Sequence, residues 1–197
     1  MAERGRTVTT EKKFIDAQEL MEDSIRLGIR VLQNGFRPNF IVGVWRGGTP
    51  VGIVVQELLD FYGVKTDHIA IRTSSYSAVG KRESQVRVHG LSYLIKNINA
   101  EDTLLIVDDV YDTGLSIEAI IANLQMKARR NTPNIRIATV YFKPANNKTE
   151  RAPDYYVHET DRWLVFPHEL DGLTLDEIYQ NKPGLKEILS QVKIESV

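Results

Sequence analysis

Four apolar runs of strand length, each ending in a cluster of polar or glycine residues, constrain this chain more than anything else in it. Residues 39–45 (NFIVGVW) run into Arg46-Gly47-Gly48-Thr49-Pro50, and residues 67–72 run into a long polar stretch. Residues 103–107 (TLLIV) lead straight into Asp108-Asp109, and residues 135–142 end at Lys143-Pro144. Segments of helical length lie between them, about 51–62 with Gly63 as its stop and about 116–129. Short apolar strands alternating with helices predict an α/β fold built on a doubly wound, mostly parallel sheet. In such sheets ligands bind in the crevice beyond the carboxyl ends of the strands. The unusual residue clusters fall at those ends.

The remaining segments are assigned around that frame. A first helix is expected over about 16–33, with Asp16 as N-cap, Asn34-Gly35 as its end, and Leu20, Met21, Ile25, Ile29 and Leu32 at helical spacing. Residues 1–13 are polar and expected to be loose. Residues 73–87 read as a flexible polar loop, long enough to imply use as a lid. The last fifty residues hold Tyr155-Tyr156-Val157-His158, an aromatic stretch at 163–167, and short helices near 174–180 and 184–193. No repeat or Pro/Ser linker divides the chain. One domain over 1–197 is expected, with a core at about 36–145 and a small hood formed by about 146–197 and the helix at 16–34.

Composition excludes several kinds of chemistry. The 197 residues include no cysteine, which removes thiol catalysis, disulfides and zinc–thiolate sites. The 25 basic and 26 acidic side chains nearly cancel, giving no electrostatic case for a nucleic-acid or membrane-surface partner. The charged N-terminus lacks the apolar core of a signal peptide, and no run reaches the ~20 apolar residues of a membrane span. A cytoplasmic protein is the expectation. His68, His89, His158 and His168 lack zinc-ligand spacing.

The chemistry concentrates in Val107-Asp108-Asp109-Val110-Tyr111-Asp112-Thr113-Gly114-Leu115-Ser116. Two adjacent carboxylates leaving an apolar strand must reach a wet crevice, because burying them unpaired is costly. Such acceptors suit vicinal hydroxyls or a hard metal ion bridging to them. Asp112 to Ser116 then supply hydroxyls, a glycine that permits close backbone approach, and the free amides of a helix N-terminus. Together these make a phosphate cradle. Diol binding beside monophosphate binding describes a ribose 5-phosphate.

LLIVDDVYDTGLS resembles the thirteen-residue phosphoribosyl-pyrophosphate (PRPP) signature of the type I phosphoribosyltransferases, with four hydrophobic residues, two acids and a Thr-Gly phosphate loop. The resemblance extends by motif order and spacing over roughly residues 36–170. It implies that Asp108 and Asp109 approach the ribose hydroxyls with Mg2+ nearby, bound directly or through water. It implies too that Asp112, Thr113, Gly114, Leu115 and Ser116 wrap the 5-phosphate. Arg46-Gly47-Gly48 is similar to the family's pyrophosphate loop, in the form that resembles the xanthine–guanine enzymes. Ser75-Tyr76 is similar to the pair on the mobile catalytic loop. Arg72, Lys81 and Arg82 add charge near it without a role fixed by any motif.

The resemblance narrows to the 6-oxopurine branch through Lys143, which in that context donates to O6 of the base. A lysine has donors only, so it favours an oxo over an amino group. In Asp161-Arg162-Trp163-Leu164-Val165-Phe166-Pro167-His168-Glu169, Trp163 is expected to stack on the purine and Leu164 to offer its carbonyl. The resemblance also implies that Glu169 takes part in binding the purine, at its 2-position, where related enzymes more often carry aspartate. The implied activity is transfer of the phosphoribosyl group from PRPP to hypoxanthine, guanine or xanthine, with Asp112 as general acid/base near N7. The implied products are a purine nucleotide and pyrophosphate, and the implied assembly is a homodimer or homotetramer. Two other readings stay open: a PRPP-sensing regulator without catalysis, and a phosphoribosyltransferase for another nucleobase.

Overall fold

The protein, described from a computed structural model, is defined over residues 11–76 and 85–192, the side chains of Ser75, Tyr76 and Gln85 excepted. Its elements in chain order are β1 (Lys12–Phe14), α1 (Ala17–Gln33), β2 (Phe40–Trp45), α2 (Gly48–Phe61), β3 (Asp67–Tyr76), β4 (Gln85–His89), α3 (Leu91–Asn97) and β5 (Thr103–Tyr111). They continue with α4 (Leu115–Ala128), β6 (Asn134–Phe142), β7 (Tyr155–Glu159), β8 (Trp163–Val165), α5 (Leu175–Asn181) and α6 (Leu185–Leu189). Two compact units result, one spanning residues 21–161 and the other joining the segment up to Leu20 with that from Arg162 onward.

The larger unit carries a six-stranded sheet of order β4-β3-β2-β5-β6-β7, parallel except for the β3–β4 pair. This is the α/β architecture the alternating runs predict. Period-two alternation sends Val42, Val44, Leu104, Ile106 and Ile137 into one apolar cluster with Leu91 and Leu94 of α3 and Ile117, Ile120 and Leu124 of α4. On the opposite face α2 lies close: a Cβ on its Gly52 would sit 3.6 Å from Gly43 Cα and 3.9 Å from Val107 Cβ. Burying each large aliphatic side chain in such layers contributes about 1.5–3 kcal/mol, so the many fully buried ones secure the sheet.

The strand order reverses between β2 and β5. These strands pair only from Phe40↔Leu104 to Gly43↔Val107. Beyond that point β2 continues beside β3 through Trp45↔Arg72, and β5 continues beside β6 through Tyr111↔Phe142. The divergence opens a crevice at the topological switch point.

Several expectations are corrected. The acid pair does not follow the third strand but lies inside it, because β5 runs on to Tyr111. The polar stretch after residue 72 begins and ends in strand, since Thr73 to Tyr76 pair antiparallel with Val88 to Gln85. Residues 77–84, including Lys81 and Arg82 of the expected lid, lie outside the described residues. Lys12 and Lys13, in the stretch expected to be loose, form with Phe14 a strand parallel to Trp163–Val165.

The face assigned to α1 is also corrected. Asp16 does cap it, accepting from Glu19 N–H at 2.7 Å. Its buried side is Leu20, Asp23, Ser24, Leu27 and Val31, whereas Met21 and Ile29 are exposed. The small residues decide the outcome: a Cβ on Gly28 would lie 2.6 Å from Leu58 Cδ2, so α1 and α2 approach through Gly28. From Met21 onward α1 falls in the unit that carries the sheet, as does β7, which pairs with β6. Both were expected in the hood.

The smaller unit is held by β1–β8 pairing, by Lys12–Glu177, and by a capping box at α5 in which Thr174 and Glu177 exchange hydrogen bonds. No helix among the described residues is long and apolar enough to cross a membrane.

Candidate active site

Where β2 and β5 part, the backbone that follows β2 meets the carboxylates of β5. After β2 the chain turns through Arg46-Gly47 directly into α2, whose N-cap is Gly47 and whose start has no side-chain cap. The Trp45–Arg46 peptide is cis. The glycines permit an approach that no side chain would. A Cβ on Gly47 would fall 1.8 Å from Asp109 Oδ2, and one on Gly48 would fall 2.3 Å from the Val107 carbonyl oxygen. The sequence-expected pyrophosphate loop and acid pair are thus in direct contact. Arg46 is exposed beside them.

Asp109 is buried and Asp108 half-buried. Desolvation, and then repulsion by the Asp109 charge, push the Asp108 carboxyl well above its usual range. The N–H groups of Asp109 and Gly48 donate to it and oppose that shift. Two carboxylates held this close favour a bound cation or proton between them. Among the described residues no group of three or more metal-ligating side chains occurs. Asp108 and Asp109 are the carboxylates that would hold Mg2+, an ion usually bound by one or two carboxylates and completed by substrate oxygens.

Below the acid pair a cavity of about 90 Å³ is lined by Asp108, Tyr111, Asp112, Thr113, Gly114 and Ser116, among others. That is about three times a water's ~30 Å³ share of the liquid, room for one tetrahedral oxyanion. Gly114 supplies the turn into α4 at φ +76°, and α4 also begins without a side-chain cap. Leu115 N–H meets Thr113 Oγ1 only at 3.5 Å, so the start of the helix can still receive an anion. Leu115 is exposed at the first helical position. Thr73 and Ser116 hydroxyls approach to 3.4 Å. The floor is fixed by Tyr111, whose hydroxyl meets Thr149 Oγ1 at 3.0 Å and donates to the Arg151 carbonyl at 3.0 Å.

At the rim, Lys143 Nζ donates to Asp112 Oδ2 at 3.1 Å. Lys143 is buried while the Asp112 side chain keeps 41% of its exposure, so the pair opens toward solvent through the carboxylate. Asn146 Nδ2 donates to the other oxygen, Oδ1, at 2.9 Å. Sequence reasoning missed Asn146. Its signal is its place three residues after Lys143 across a proline.

In the smaller unit, Trp163 is 58% exposed, which leaves its ring free to stack, while Leu164 is buried beside it in β8. Glu169 Oε2 accepts from Phe166 N–H at 2.9 Å, and Glu169 N–H donates back to the Phe166 carbonyl at 3.1 Å. Lys182, also missed, is buried and donates to the carbonyls of Phe166 and Pro167 at 2.7 and 3.2 Å. Burial lowers its pKa. Ser75 and Tyr76 lie at the end of β3, and their side chains are outside the described residues.

No curated protein matches the sequence significantly. Solved structures do. A purine phosphoribosyltransferase from Pyrococcus horikoshii is 26% identical, with a TM-score of 0.62, over 83% of this chain and 97% of its own. A xanthine–guanine–hypoxanthine phosphoribosyltransferase from Helicobacter pylori is 21% identical, with a TM-score of 0.65, over 91% and 99%. A hypothetical protein from Neisseria gonorrhoeae, solved with bound ppGpp, is 16% identical with a TM-score of 0.69 over 87% and 96%. The model of the phosphoribosyl transferase domain matches residues 12–177. With the strand-end acid pair, the uncapped α4 and that match in place, the chain belongs to the phosphoribosyltransferase family.

Proposed function

We propose that the protein transfers the 5-phosphoribosyl group of PRPP to N9 of a 6-oxopurine, giving a purine nucleoside 5'-monophosphate and pyrophosphate. The observation that carries this reading is the Lys143–Asp112 pair at the rim of the phosphate-sized cavity. It sets a donor-only cation beside an acceptor-only carboxylate. A 6-oxopurine in its N7–H form presents the complementary pair, O6 to accept and N7–H to donate. Adenine would turn an amino donor toward Lys143, which has no acceptor to offer.

In the proposed reaction the bond from C1 of the ribose to pyrophosphate breaks and its electrons leave with pyrophosphate. The N9 lone pair forms the new C1–N9 bond, and Asp112 takes the N7 proton. The Thr113–Ser116 turn holds the 5-phosphate, and Asp108 with Asp109 accepts from the ribose hydroxyls. Arg46 and the Gly47 and Gly48 amides hold the leaving pyrophosphate. Mg2+, when bound with PRPP, offsets charge developing on that group. Trp163 stacks on the base and Leu164 offers its carbonyl, while Glu169 keeps to the turn that carries them. The test is Asp112→Asn, which should cut base-dependent pyrophosphate release by ~100-fold or more, in line with the usual range for a lost acid/base. Unchanged turnover would remove Asp112 from the chemistry.

A further inference from the structure

When a base engages Lys143, the Asp112 carboxylate loses the partner that orients it. Something else must then hold Asp112 toward N7, and the structure offers a single-turn device for it. β6 ends at Phe142, and Pro144–Asn146 form a 3-10 turn with Lys143 at its N-cap and Pro144 in its first position. Asn146 N–H closes the turn on the Lys143 carbonyl at 3.1 Å. In such a turn side chains at i and i+3 eclipse, so Lys143 and Asn146 project to the same side. Each takes a different oxygen of the same carboxylate, Lys143 Oδ2 and Asn146 Oδ1. A carboxylate only accepts, so the atom Asn146 presents is its amide nitrogen.

We propose that Asn146 is a positioning residue for the transfer reaction: it holds Asp112 by Oδ1 while Oδ2 passes from Lys143 to the N7 proton of the base. The proposal rests on the reading of Asp112 given above. The loop that carries Asn146 is built to stay in place. Lys148 N–H donates to the Thr113 carbonyl at 3.0 Å, and Asn147 Oδ1 accepts from both the N–H and the hydroxyl of Thr149 at 2.9 Å. A Cβ on Gly114 would meet Thr149 Oγ1 at 2.8 Å, so the same loop backs the phosphate turn. Asn146 itself is exposed, and no packing role explains its orientation.

The experiment is a double-mutant cycle on the full chain, Asn146→Ala and Asn146→Asp each with and without Asp112→Asn, read as kcat and as KM for base and PRPP, with melting temperatures alongside. Asn146→Ala is expected to lower kcat/KM for the base roughly ten- to hundred-fold, the size of one hydrogen bond to a charged group, with KM for PRPP and the melting temperature unchanged. Asn146→Asp, though isosteric, is expected to lose more, because it sets a second acceptor against Asp112. In the Asp112→Asn background either change should alter turnover less than twofold. Wild-type kinetics in Asn146→Ala, with Asp112→Asn impaired, overturn the role of Asn146 alone. An equal loss in both backgrounds also overturns it. Wild-type kinetics in Asp112→Asn overturn the reading of Asp112 on which it rests.

Discussion

Asp109 and Gly47 share one space: the carboxylate of the first stands where a Cβ of the second would be, 1.8 Å from Oδ2 and 2.3 Å from Cγ. This contact joins the loop after β2 to the acid pair of β5 across the point where those strands part. Gly47→Ala must therefore displace the loop or the carboxylate. A loss of about 1–3 kcal/mol in denaturant unfolding is expected, as for other overpacked sites, together with loss of PRPP binding by calorimetry. Gly63→Ala is the contrast. Gly63 sits at φ +80° with open space around it, so its variant should lose a comparable ~1 kcal/mol through backbone strain alone. PRPP binding by Gly63→Ala should match wild type.

The acid pair sets a pH signature. Asp108 titrates above its ordinary 3.8 in the folded state, through burial first and the Asp109 charge second. Between the unfolded and folded values the native state holds the extra proton, so its contribution to stability is present below about pH 4 and is lost as pH rises through the folded value. Asp109→Asn removes one cause of that loss. The variant should melt higher than wild type at pH 8, with the difference shrinking toward pH 4. A difference that is constant across pH would show that Asp109 does not act on Asp108.

Mg2+ and PRPP should stabilise the protein together. Among the described residues no third metal-ligating side chain joins the two carboxylates, so Mg2+ by itself should shift the melting temperature little. PRPP with Mg2+ at a hundred times its dissociation constant should add about 2.7 kcal/mol, and EDTA should remove most of it. Equal stabilisation by PRPP with and without EDTA would contradict the assignment of Asp108 and Asp109.

Strand ends were legible in the sequence because apolar runs, glycines and acids are local signals. The acid pair and the Thr113–Gly114 turn stand out by those signals, whereas Arg46-Gly47-Gly48 and Lys143 take their expected roles only from the family resemblance. What escaped depended on tertiary contact. The stripe Met21, Ile25, Ile29 has good helical spacing, but the contact with Leu58 through Gly28 turned the helix and left Met21 and Ile29 outside. The strand Lys12–Phe14 exists only because Trp163–Val165 pairs with it. Asn146 is aimed at Asp112 by a 3-10 turn, a local geometry that its residue type alone does not announce.

Lys182 makes the prediction for the smaller unit. Its ammonium ties the carbonyls of Phe166 and Pro167, whose turn follows Trp163 and Leu164 by two residues. Lys182→Ala leaves buried carbonyls without that donor, at a cost of about 1–3 kcal/mol. Amide exchange at 166–169 should quicken and the Trp163 emission should shift. Unchanged exchange would mean that the Phe166–Glu169 turn holds itself.

Pyrophosphate release with PRPP and Mg2+, measured with hypoxanthine, guanine, xanthine and adenine in turn, tests the central claim most directly. The donor-only Lys143 beside the acceptor Asp112 predicts release with at least one 6-oxopurine. It also predicts a preference over adenine of ~100-fold or more, one that narrows in Lys143→Ala. No release with any 6-oxopurine, or adenine used equally well, would contradict it.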